Sequence, residues 1–216
     1  MYNMNRELLE QNIERIELLK YVKSEQRGDV LEGLINNIVN KNAFFFSYAE
    51  FENIDGRLFS FDAEELVEGG ALDLFNEMRP YFEKAGLKLN NVEQAFDCSS
   101  KKVIYNLKIN KYTCNLAKGP SSFLLVYIFL TAKYAMFLNK ILRKNKVKER
   151  IYFMNDSASD TQIAFLTPKQ AKFINSLKLN PKDEVYKWNY WTACKMIFEG
   201  VGFIFKILFR KKRVEQ

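Results

Sequence analysis

Two groups of carboxylates hold most of what this 216-residue chain offers to chemistry: Glu64, Glu65 and Glu68 in DAEELVEGG, and Asp156 and Asp160 in NDSASDT. Paired carboxylates serve as general acid and base, or as oxygen ligands for a hard cation. The aspartate pair lacks the third carboxylate, the turn glycine and the distal Glu of a calcium loop, so turn chemistry is its simpler account. The glutamates, with Asp73 and Glu77 close behind, read as a solvated helix face or as a surface for a basic partner. Histidine is absent, which removes Ser-His and Cys-His nucleophile pairs, imidazole acid-base catalysis and every His-containing zinc site. Cys98, Cys114 and Cys194 are odd in number and fit no metal spacing. They are expected as reduced, small buried hydrophobes, with Cys98 and Cys114 on neighbouring strands. No catalytic residue, cofactor or metal ligand is assigned, and the expectation is a protein that works by binding.

Charge is divided along the chain. Residues 1–100 hold 10 Lys/Arg against 19 Asp/Glu, and residues 101–216 hold 23 against 7, so balances of −9 and +16 make up the net +7. Such asymmetry either steers a partner to one face or draws the two halves together. Hydrophobic residues at 48% and charged residues at 27% are the composition of a folded domain. MYNMN runs directly into RELLEQNIER without a basic and then apolar leader, so a cytoplasmic protein is expected.

The elements that would position these groups follow from periodicity. NRELLEQNIERIELLKYVK spaces Leu8, Leu9, Ile13, Ile16 and Leu19 as one helix face; Gly28 breaks it, and Asp29 with Glu32 forms a capping box for a second helix, completing a helical hairpin. Aromatic runs on both sides of Asp55-Gly56 predict a β-hairpin. Asp62 caps a helix that Gly69-Gly70 and Pro80 would kink or split, ending at Gly86. Alternation then takes over: Val103, Tyr105, Leu107 and Ile109 share one strand face and Tyr112, Cys114 and Leu116 the next, joined at Asn110-Lys111. Residues 121–145 form an apolar helix interrupted by Lys133 and Asn139, too short in its wholly apolar run to span a bilayer. IYFM and QIAFL are apolar on both faces, as strands within a covered sheet are, and T-P-K-Q from Thr167 starts a helix.

The expected architecture is α+β: an N-terminal helical and hairpin lobe over 1–86, then a sheet covered by helices over 87–216. Within it, residues 137–174 resemble bacterial immunity proteins of contact-dependent inhibition and other polymorphic toxin systems. Leu138-Asn139, Leu142, Arg150-Ile151-Tyr152, Ser159-Asp160, Gln162 and Leu166-Thr167 stand where that family has its helix, strand, turn and strand-to-helix pattern. The family's Gly-Gly turn is missing here and the loop is one residue longer. The resemblance implies a cytoplasmic protein without chemistry of its own, whose partner is a cognate toxin C-terminal domain. It would cover the toxin's active site through an interface of about 1,600 Å². An acidic half suits a basic toxin such as a nuclease, with Asp156, Asp160, Glu64, Glu65 and Glu68 as candidate contacts.

Two other readings compete. The segment over 190–213, NYWTACKMIFEGVGFIFKILFRKKR from Asn189, leaves a narrow polar stripe on an otherwise apolar helix. It packs into the core, or it lies on a membrane with its basic end towards anionic lipid. The basic half, with Tyr105, Tyr112, Tyr127 and Tyr152 among its lysines, is the motive for nucleic-acid binding; no recognition motif accompanies it.

Overall fold

The computed structural model describes residues 5–44, 57–99, 102–119, 123–154, 161–179 and 184–195. Helix α1, Arg6–Arg15, is capped by the Asn5 side chain, which accepts the Glu7 N–H, and buries Leu9 and Ile13. It stops well short of Lys23, the last residue of the expected helical stretch, because Glu17 turns into the left-handed region at φ 52°. The Gln170 side chain donates to the carbonyls of Ile16 and Glu17 at 3.0 and 3.1 Å, so the released backbone groups are satisfied from outside the helix. Leu18, Leu19 and Val22 are buried from this turn instead of from a helix face.

A 3₁₀ turn at Ser24–Gln26 leads into α2, Arg27–Asn36. The expected capping box does not form, since the helix begins two residues before Asp29. Glu32 instead pairs with Arg6 and accepts from the Asn36 amide. The Asp55-Gly56 hairpin lies largely outside the described residues. Its second strand, β1 (Leu58–Phe61), pairs antiparallel with the strand at Thr161–Leu166, Leu58 opposite Ala164.

Antiparallel strands fall into two three-stranded sheets. One has the order β1-β6-β5, with β5 at Arg150–Met154 and β6 at Thr161–Leu166. Both of its faces are covered, which explains why its strands are apolar at consecutive positions. Ile151, Phe153, Ile163 and Phe165 enter one core, while Tyr152, Met154, Ala164 and Leu166 enter a second core with α1, α2 and the helix at Pro168–Ser176. In the first core the rings of Tyr81 and Phe165 stack at 3.7 Å.

The other sheet has the order β2-β3-β4, formed by Val92–Cys98, Val103–Ile109 and Tyr112–Gly119. One face packs on helices and the other meets solvent, so burial alternates along β3. A bulge opposite Tyr105/Asn106 turns both Leu116 and Ala117 towards the core. Asn110 takes the left-handed turn position, and its amide bonds the backbone of Lys88 and Asn91. Cys98 and Cys114 sit on the two outer strands with β3 between them, which corrects their expected adjacency; both are free thiols.

Between the sheets run α3 (Ala63–Val67), α4 (Ala71–Lys84) and α5 (Phe123–Lys144). The expected split falls at Gly69-Gly70. Pro80 sits inside α4 without ending it, on the exposed side, where the carbonyl it frees meets water. Asn139 of α5 bonds both backbone groups of Ile151, at 2.8 and 3.2 Å, acting as a strand partner for β5. Helix α6, Pro168–Ser176, begins with the expected capping box, Thr167 with Gln170. Beyond it, Tyr186 bridges to Phe153, and a helical turn begins at residue 190.

Candidate functional site

Asp62 organises the acidic end of the molecule. Its carboxylate accepts the N–H groups of Glu64 and Glu65 at 2.8 and 3.3 Å, which starts α3. The helix lasts barely more than a turn before Gly69, at φ 106°, reverses the chain. A Cβ at Gly69 would lie 2.8 Å from the Phe96 ring, and one at Gly70 would lie 2.4 Å from Glu65 Cγ and 2.8 Å from its carbonyl oxygen. Both glycines are therefore required by close approach as well as by the turn.

This geometry folds α3 back against α4 and brings the carboxylates together. Burial, followed by the charges of Glu77, Asp62 and Asp73, raises the Glu65 pKa above the ordinary carboxylate value. Glu65 is half-buried, whereas Glu64 and Glu68 stand exposed on either side of it. Glu65 thus lies within reach of the charges of Asp62, Asp73 and Glu77, with Glu64 and Glu68 exposed on the same short helical segment. Asp156 and Asp160 lie outside the described residues, as does the 190–213 segment beyond residue 195.

Beneath the acidic face is a polar layer that the sequence did not single out. The Tyr105 hydroxyl accepts the Ala71 N–H at 2.7 Å, and the Tyr134 hydroxyl donates to the Ala71 carbonyl at 3.1 Å. Gln94 accepts the Leu72 N–H at 2.8 Å and donates to the Gly69 carbonyl. The first turn of α4 has no side-chain cap of its own, so strand residues supply it. Burial raises both phenols well above the ordinary tyrosine pKa. The available signal was Gln94, a polar residue at an inward strand position between Val92 and Phe96.

A second polar group was also missed. Glu149, 4% exposed, accepts from the Tyr21 hydroxyl at 2.9 Å and lies 3.6 Å from Lys20 Nζ. Burial and then Glu149 raise the Tyr21 pKa. Arg57, 2% exposed, donates to the Leu18 carbonyl and sits over the Tyr21 ring at 5.6 Å. These groups tie the turn after α1 to the first sheet, and neither set pairs a nucleophile with a base.

Open grooves also mark the described surface. One of about 620 Å³ is lined by Ile13, Glu14, Lys20 and Arg27, and one of about 440 Å³ by Arg15, Lys169, Lys172 and Phe173. Among the described residues, no group of three or more His, Cys, Asp or Glu could hold a metal ion, and no helix is long and apolar enough to cross a membrane. No protein-family model, curated protein or solved structure matches the chain.

Proposed function

We propose that this chain is an immunity protein that binds and neutralises a cognate bacterial toxin domain, and that Glu64, Glu65 and Glu68 form the centre of its toxin-binding face. The observation that carries the reading is the gathering of like charge. Burial, and then the charges of Glu77, Asp62 and Asp73, raise the Glu65 pKa, so keeping this carboxylate ionised costs stability, a cost that a partner's cations would offset. A basic toxin domain, of the kind that grips nucleic acid, would be steered to this face and covered there. The resemblance over residues 137–174 supplies the biological class, and the acidic face supplies the sign of the partner.

Co-expression with the toxin domain encoded in the neighbouring reading frame tests this. Rescue of growth and co-elution of the two chains are expected. Glu64→Lys with Glu68→Lys, both at exposed positions, should slow association by at least about tenfold at low salt and flatten its salt dependence. Failure to rescue and to co-elute rejects the function. Rescue with undiminished association of the double variant rejects this face.

A further inference from the structure

We propose that the protein has a second docking face, centred on Trp191, that seats on an anionic lipid surface. Trp191 is 82% exposed and Tyr190 44% exposed, although Ala193 in the same helical turn is fully buried. That turn therefore packs one side against the core and presents its two aromatics outwards. Tyr190 lies 6.2 Å from Phe129 of α5, and on α5 the spacing Phe129, Lys133, Met136, Lys140 places these four residues along one stripe. Met136 is 39% exposed. Lys133 and Lys140 both act on the thiol of Cys114, which locates the stripe beside β4, at the edge of the second sheet.

The charge around this stripe has one sign. Residues 98–148 contain 11 Lys/Arg and no Asp or Glu; Lys108 of β3 is paired with Glu93, and Lys118 of β4 with Lys133 and Lys140 of α5 put positive charge on the elements beside the aromatic face. The sequence after residue 200 continues in kind, with VGFIFKILF followed by RKKR. Amphipathic aromatics with flanking lysines are the composition of an interfacial site: the rings enter the headgroup region and the ammonium groups meet anionic lipid. A single-stranded nucleic acid would use the cations and stack on Trp191 and Tyr190, whereas the apolar Met136 on the same stripe has a matching surface only in lipid.

The test uses the full-length protein with vesicles of phosphatidylcholine, with and without phosphatidylglycerol. Flotation with the anionic vesicles only is expected, together with a blue shift of tryptophan emission. Trp188 is buried at 4% exposure, so a shift reports Trp191. Trp191→Ala should weaken partitioning about tenfold, and neutralising Lys133 and Lys140 to Gln should weaken it about fivefold each. Because Trp191 is exposed, the alanine variant keeps its unfolding midpoint. Absence of flotation, flotation undiminished in Trp191→Ala, or emission that does not move on binding overturns the proposal. So does retardation of single- or double-stranded nucleic acid at salt concentrations where no vesicle binding remains.

Discussion

Replacing Tyr105 with phenylalanine removes one oxygen atom from the layer under the acidic face. Tyr105 is fully buried, and its ring packs on Phe96 at 4.8 Å. The substitution keeps that packing and leaves the Ala71 N–H, bonded at 2.7 Å in the native protein, without its acceptor. Ala71 opens α4 after a glycine that has no side chain to cap it, so the replacement offers no alternative partner. An unsatisfied buried donor costs about 1–3 kcal/mol. For a chain of this size that corresponds to roughly 2–12 °C in Tm. Tyr134→Phe is the control, since its hydroxyl donates to the Ala71 carbonyl, an oxygen that the helical ladder also uses. Its loss should cost about 0.5–1.5 kcal/mol. Urea unfolding followed by circular dichroism measures both. Burial keeps the two phenols from ionising near neutral pH, so titration does not confuse the comparison. A Tyr105→Phe midpoint equal to wild type, or a larger loss in Tyr134→Phe, would refute this account of the helix start.

Three further substitutions test the same region and its surroundings. Gly70→Ala forces a methyl group against Glu65 and its backbone oxygen and should destabilise by about 1–3 kcal/mol; Gly28→Ala in α2, with nothing within 4 Å of the new Cβ, should stabilise by about 0.4–1 kcal/mol in the same denaturation assay. Glu65 binds its proton more tightly folded than unfolded, so its contribution favours folding below the ordinary value of 4.5 and turns unfavourable as pH rises through its raised folded value. Glu65→Gln should therefore raise Tm at neutral pH, with the gain shrinking as pH falls through the raised folded value and levelling off below 4.5, and a gain that grows in acid would contradict the acidic cluster.

What the sequence revealed, it revealed where local chemistry and tertiary context agree. The Thr167-Gln170 capping box is made of neighbours in sequence, and the Gly69-Gly70 split needs only a reversal of the chain; both formed as expected. The Asp29-Glu32 box was an equally good local pattern, yet Glu32 is taken by Arg6 from another helix and the box is absent. Likewise α1 ends early because Gln170, more than 150 residues away, satisfies the carbonyls released at Ile16 and Glu17. The alternation of β3 was legible because one sheet face is solvated, whereas the pairing of β1 with β6 spans about 100 residues and leaves no local trace. For the candidate site, Glu64, Glu65 and Glu68 lie on or at the end of one short helix, and Asp156 and Asp160 lie outside the described residues. The polar layer that holds this face is built from residues whose partners lie on other elements, so spacing could not show it.

The residues that carry the family resemblance have structural work in this fold, and that bears on where specificity resides. Asn139 completes the edge of β5, Thr167 opens α6, and Leu138, Leu142, Ile151 and Leu166 are buried. A pattern fixed by strand edges and helix starts belongs to the scaffold, and a scaffold does not choose a partner. Under the proposed immunity function, choice among toxins falls to exposed groups outside the pattern, as Glu64 and Glu68 are and the buried motif residues are not. On that proposal, exchange of the α3 surface should alter which toxin is bound while the sheet beneath it stays folded.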